Sequence, residues 1–310
     1  MILSVIIPTH HPEPGRLRRT LRALRTQTLP AAEWECVLVD NASAPALALA
    51  DWAADGPGNL RLVAEPTPGL SHARRRGFLE ARGEILVLVD DDNELAPDYL
   101  AETVRLLAAH PRVGLLGGRS CPEFEAPPAP WVREFDGLLA CRDLGDAPLI
   151  STGLRHPATG RNEYPVFAPI GAGMVLRRPA AQAWLDANNH AALPDRTGAN
   201  LSSSGDNDIV LAAMAAGWEA AYFPTLRLTH LIPRFRTQRD YLARLNRSIQ
   251  SSWMQVLSAH DANPWPALAA WTVPLRRAKA WFHYRAWSSD AAHVRWQGAC
   301  GHFEGRATSA

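Results

Sequence analysis

The chain has 310 residues, is 47% hydrophobic and 20% charged, and carries a formal net charge of +1. That composition excludes a disordered chain and supplies enough core for one large α/β domain, with or without an appendage. So small a charge excludes a global field that would draw the chain to nucleic acid, and any anionic ligand needs a local site.

The four cysteines, Cys36, Cys121, Cys141 and Cys300, form no CxxC pair. This argues against a zinc knuckle or a disulfide-stapled secreted domain and fits a reducing cytoplasm. No basic segment followed by a long apolar run opens the chain, and no window holds about 18 uninterrupted apolar residues. Neither a leader nor a membrane-spanning helix is therefore expected.

Residues 3–7 are mostly β-branched and end at Pro8, as a buried strand would. From about 15 to 27, Leu17, Leu21 and Leu24 fall at helical spacing. Apolar runs at 36–39, ending in Asp40, and at 60–64 predict the second and third strands. Ser71 is expected to cap a helix to about Arg82, ended by Gly83. Residues 84–89 read as a fourth strand that runs straight into Asp90, Asp91 and Asp92. Strand and helix in alternation imply a mostly parallel sheet flanked by helices, with ligands beyond the carboxyl ends of the strands. Three strands end there in chemically useful residues: Pro8-Thr9, Asp40 and the acid cluster.

Residues 122–169 are rich in Pro and Gly and read as irregular structure. Residues 166–176 suggest a strand pair around Gly171-Ala172-Gly173. Asp206 opens a helix to about Ala216, and strands at 220–223 and 226–230 follow, the second ending in His230. Beyond Pro233 the pattern changes to a long amphipathic helix at 238–259 and a Trp- and Arg-rich stretch at 265–296.

Three adjacent carboxylates repel one another, and a divalent cation relieves that repulsion. One or two carboxylates, completed by waters and substrate phosphates, suit Mg²⁺ or Mn²⁺. A solvated acidic loop that only caps the following turn is the plainer alternative. Asp206 likewise has a plain alternative, as a helix N-cap.

Ser4-Val5-Ile6-Ile7-Pro8-Thr9, Val37-Leu38-Val39-Asp40-Asn41-Ala42-Ser43, Gly69 through Gly77, and Leu88-Val89-Asp90-Asp91-Asp92 resemble, in order, the signatures of family 2 glycosyltransferases. The resemblance covers roughly residues 1–232. It implies a GT-A fold: a catalytic domain at 1–232, with a nucleotide-binding half at 1–120 and an acceptor-side half at 121–232, and a C-terminal helical extension at 233–310. It implies an inverting transfer of a sugar from a nucleotide-diphosphate donor, with UDP favoured, to an acceptor hydroxyl or amine.

The same resemblance assigns donor contacts to Pro8, Thr9, Asp40, Arg74, Asp90 and the intervening Asp91. Gly171, Ala172 and Gly173 would let backbone approach the donor sugar. Asp92 would bind Mn²⁺ or Mg²⁺, with His230 completing the metal shell, and Asp206 would be the catalytic base. Three departures stand out: His10 and His11 where an aromatic residue and Asn are common, Arg75 in place of Asn, and Gly205 in place of Glu. Of the three consecutive arginines, one faces the ligand, and Arg74 is the choice.

The acceptor is not legible; a lipid-linked saccharide and a small molecule both suit the family. The Trp- and Arg-rich tail is open to packing on the domain, to a second subunit, or to peripheral contact with the inner face of a membrane, whereas nucleic acid is not expected. A sugar-nucleotide nucleotidyltransferase is the first competing reading, although Pro8-Thr9-His10-His11-Pro12 lacks the glycines of a phosphate loop. A non-catalytic nucleotide-sugar-binding module is the second.

Overall fold

The computed structural model describes residues 1–187, 193, 196–197, 201–202 and 204–308. Every candidate site residue lies within them. The first half alternates strands and helices: β1 (Leu3–Thr9), α1 (Pro14–Arg25), β2 (Trp34–Asn41), β3 (Leu60–Glu65), α2 (Leu70–Glu80) and β4 (Ile85–Leu88). Next come β5 (Asn93–Leu95), α3 (Tyr99–Ala109), β6 (Val113–Phe124), β7 (Leu149–Ile150), β8 (Val175–Arg177) and α4 (Arg178–Ala187). The chain closes with α5 (Gly205–Ala215), β9 (Glu219–Ile232), α6 (Arg239–Ala259), α7 (Val273–His283) and α8 (Asp290–Thr308).

Among the described residues the strands form one sheet in the order β3-β2-β1-β4-β8-β6-β9-β5, with β7 also on β9. The β3-β2-β1-β4 half is parallel, and β8 runs antiparallel to both β4 and β6. Every residue of β1 and β2 is buried, the reason their sequences are largely apolar without alternation; buried Glu35 is met by the Ser4 hydroxyl at 2.7 Å and by Arg61 at 2.9 Å. One face packs Val5 and Ile7 on Leu17, Leu21 and Leu24 of α1. The other packs Ile6, Val37 and Val39 on Ala73 and Phe78 of α2, Trp184 of α4 and Ile209 of α5. Each of the Val, Leu, Ile and Phe side chains among them contributes about 1.5–3 kcal/mol when fully buried. Gly77 sets the depth of α2, because a Cβ there would lie 2.3 Å from Ile6 Cγ2.

Three expectations need correction. The cap of α2 is Gly69 at φ 143°, and buried Ser71 lies inside the first turn. A left-handed φ of this kind suits glycine, and a side-chain cap is not used. The strand pair around Gly171-Ala172-Gly173 is absent: only β8 forms, since Pro165 and Pro169 remove donors and Gly173 takes φ 73°. The two strands expected at 220–230 are one, β9, whose pairing with β6 shifts register beside Pro224.

Residues 130–139 form 3₁₀ turns, and helices α6 and α8 pack on them. Val132, Leu139, Ile232, Leu242, Leu245 and Val294 share one core there. No helix among the described residues is long and apolar enough to cross a membrane.

Candidate active site

The strand ends β1, β2 and β4 open onto one cavity of about 330 Å³. Its wall carries Pro8, Thr9, Arg74, Asp90, Asp91, Asp92, Gly171, Ala172, Asp206 and His230. Residues more than 200 positions apart, such as Pro8 and His230, are thus brought to one place by the sheet order. Antiparallel pairing of Asn93 with His230 sets the histidine beside the acid cluster.

Two expected lining residues stand behind the wall. Asp40 Oδ1 accepts from the Ser43 N–H at 3.2 Å and Oδ2 from the Leu47 N–H at 2.9 Å. Its carboxylate thus holds the loop after β2 and does not line the cavity. Gly173 lies deeper, where its carbonyl accepts from the Tyr99 hydroxyl at 2.6 Å. Neighbouring Asn41 is also a brace: its amide donates to the Glu65 and Thr67 carbonyls and accepts from the Gly69 N–H. His10 does line the cavity, with Nδ1 2.6 Å from the Asn41 carbonyl oxygen.

The acids differ in state because their surroundings differ. Burial pushes Asp90 up, opposed by the Arg74 guanidinium, while the Asp92 charge adds to the rise. Burial and the charge of Asp92 also push Asp91 up, against a hydrogen bond from the Thr9 hydroxyl. Asp92 goes the other way: burial would raise it, but His230 and Arg236 hold it low. It is the acid that stays ionised most readily.

His230 Nε2 lies 3.2 Å from Asp92 Oδ1, and Arg236 Nη1 lies 3.2 Å from Asp92 Oδ2 and 3.3 Å from His230 Nε2. Arg236 is a residue that sequence reasoning missed. Its signal was the basic run Arg234-Phe235-Arg236 six residues or fewer after His230. Among the described residues no three His, Cys, Asp or Glu side chains converge as a metal cage. A carboxylate and an imidazole at this spacing still suit a hard divalent ion whose remaining ligands come from a diphosphate, as Mg²⁺ usually binds. The residues present therefore fit such an ion with two protein ligands, Asp92 and His230.

Arg74 is 4% exposed, whereas Arg75 is exposed and Arg76 pairs with Glu80 at 2.8 Å. Two glycines make room for the Arg74 guanidinium. A Cβ at Gly171 would lie 2.3 Å from Arg74 Nη2, and one at Gly205 would lie 2.8 Å from Ser71 Oγ and 3.2 Å from Arg74 Nη1. Gly205, where a Glu was the more usual expectation, thus leaves space for the arginine.

Asp206 sits in the first turn of α5 with Oδ2 accepting from the Gly171 N–H at 3.0 Å and Oδ1 from the Asn207 N–H at 3.1 Å. The Tyr164 hydroxyl in turn donates to Asn207 Oδ1 at 2.9 Å. Asp208, two residues on, serves structure: Trp184 Nε1–H donates to its Oδ2 at 2.6 Å, and His260 Nε2 lies 2.7 Å from its Oδ1. Both Asp208 and the His260 side chain are buried, so this pairing ties the end of α6 to the start of α5. Nothing in the local sequence signalled it.

An α/β sheet thus sets an acidic rim, the buried Arg74 and a separate carboxylate around one cavity beyond the carboxyl ends of its parallel strands, where ligands of such sheets usually sit. The chain belongs to glycosyl transferase family 2, whose model matches residues 4–184. It is 31% identical over 180 residues to the uncharacterized protein y4gI of Sinorhizobium fredii, covering 53% of this chain and 19% of that one. It is also 31% identical over 137 residues to the O-antigen biosynthesis protein RfbC of Myxococcus xanthus, covering 40% of this chain and 11% of that one. The chain thus spans a fifth or less of the length of these relatives. A crystal structure of S. aureus TarS 1–349 in complex with UDP shares the fold at TM-score 0.50 and 13% identity, covering 98% of this chain and 89% of that one.

Proposed function

We propose that this protein is an inverting glycosyltransferase that moves a sugar from a nucleotide-diphosphate donor to an acceptor hydroxyl or amine. The observation that carries this reading is the placement of Asp206 on the wall of the same cavity as the acid cluster, with its carboxylate oriented by the Gly171 N–H. The nucleotide lies over Pro8, Thr9 and His10, and Arg74 meets its phosphates with a planar fork of donors. A uridine nucleotide is favoured, a choice supported by the UDP in the related TarS fold.

Asp206 accepts the proton of the attacking acceptor group as its oxygen or nitrogen forms a bond to the anomeric carbon. The bond from that carbon to the diphosphate oxygen breaks, and the nucleoside diphosphate leaves with the electron pair. Attack opposite the leaving group inverts the anomeric centre. Asp92 and His230 would hold Mn²⁺ or Mg²⁺, which supplies Lewis-acid stabilisation of charge on the diphosphate. Arg236 adds a fixed positive charge at the same carboxylate. A cytoplasmic setting is supported by four free cysteines, and a role in surface-polysaccharide assembly by the name of the RfbC relative.

The test is a panel of nucleotide sugars with and without Mn²⁺, read first as melting temperature and then as product. One donor is expected to raise the melting point, more strongly with the metal, and to release nucleoside diphosphate. Release of pyrophosphate would assign the chain to nucleotidyl transfer, and donor binding without turnover across an acceptor panel would make it a binding module.

A further inference from the structure

The C-terminal aromatic residues divide into two sets. Trp281 packs edge-on against Trp296 at 4.7 Å, and Trp296 Nε1–H donates to the Arg277 carbonyl at 3.1 Å, which fastens α7 to α8. Trp253 packs on Tyr164, and Trp265 on His302. The other set points outward: Trp271 is 76% exposed, Phe282 70% and Trp287 59%, and the aliphatic Leu275, at 69%, stands out with them.

The outward set has a helical order. At about 100° per residue, Leu275, Ala278 and Phe282 share an arc of about 60° on α7, nearly opposite its buried residue Ala280. Trp271 extends the stripe in the turn just before the helix. Arg276, Lys279 and His283 run along one flank, at about 40–100° from Leu275. They line a groove of about 680 Å³ between α6, α7 and α8. No Asp or Glu occurs between Asp261 and Asp290, whereas Arg276, Arg277, Lys279 and Arg285 do.

We propose that this face of α7 docks on an anionic lipid bilayer, with Trp271, Leu275, Phe282 and Trp287 entering the interface and the flanking cations meeting lipid phosphates. An exposed apolar stripe beside a cationic flank free of carboxylates is the composition of an interfacial helix. Tryptophan favours the boundary between headgroups and acyl chains. A second copy of the chain is a poor occupant. An antiparallel two-fold contact through this face would set Arg276 and Lys279 against the same cations of the partner, with no carboxylate of α7 to offset them.

The face also adjoins the catalytic cavity through α6. That helix turns Leu245 and Ile249 to the cavity and Asn246 and Gln250 to the groove. Docking would hold the cavity one helix away from the lipid surface. The docking itself does not depend on the transfer reaction, since it is measured with no donor present.

The test is flotation of the full chain with phosphatidylglycerol-containing vesicles and with pure phosphatidylcholine vesicles, across a salt series. Binding is expected to the anionic vesicles only and to weaken as salt rises. Leu275→Ser with Phe282→Ser is expected to abolish it. Arg276→Gln with Lys279→Gln is expected to reduce partition about fivefold per charge. Both pairs alter exposed residues, so an unchanged melting temperature separates lost docking from lost folding. No flotation of the wild type, or equal flotation of all three proteins, overturns the proposal. So does a dimer in sedimentation velocity that the Leu275→Ser, Phe282→Ser pair dissociates, which would mark the stripe as a self-association face.

Discussion

At the scale of single residues, the site depends on space as much as on charge. Gly171 and Gly205 carry no functional group, yet the Arg74 guanidinium occupies the volume their side chains would fill. The Gly171 N–H also holds Asp206. Gly171→Ala is therefore expected to push Arg74 from its seat and to weaken donor binding by about 1.5–3 kcal/mol, the size of a hydrogen bond to a charged group. Calorimetric titration of the nucleotide diphosphate checks this, and an unchanged affinity would show that Arg74 does not hold the nucleotide. The glycines at 171 and 173 were legible as a turn, but their two different roles were not. Which neighbour a missing Cβ makes room for is decided by segments distant in sequence.

At the scale of elements, β1, β2 and β4 were legible because strands covered on both faces carry near-continuous apolar runs, here residues 5–7, 36–39 and 85–88. The acids after β4 were legible for the same reason, as charge interrupting an apolar run. The pairing of β5 with β9 was not, since nothing in Asn93 or His230 names its partner. Arg236 and His260 escaped notice because each acts across the fold, on Asp92 and Asp208 respectively. The His260 contact makes a separate prediction. His260→Ala leaves Asp208 Oδ1 buried without that partner, while Trp184 still serves Oδ2. A loss of about 2–3 kcal/mol is expected in urea unfolding. Loss of transfer activity is expected to follow, because α5 carries both Asp206 and Asp208.

At the scale of the whole molecule, the fold delivers two carboxylate sites to one cavity, one from inside the family-matched region and one from beyond it: Asp92 follows β4, and Asp206 lies in the first turn of α5. The separation in sequence suits two separate tasks, holding the leaving diphosphate and accepting a proton. The C-terminal helices are part of this arrangement, since Leu245 and Ile249 of α6 close one side of the cavity. The boundary expected at residue 232 from the extent of the family resemblance marks a change of pattern, and the core shared by Val132, Ile232, Leu245 and Val294 runs across it.

The most direct measurement compares wild type with Asp206→Asn in donor binding and in sugar transfer. Asparagine keeps the size of the side chain and an acceptor for the Gly171 N–H but cannot serve as a base at neutral pH. Donor affinity is expected to stay within about twofold while transfer falls by about 10²–10⁴. A parallel fall of binding and turnover, or transfer that survives the substitution, would contradict the role assigned to this carboxylate.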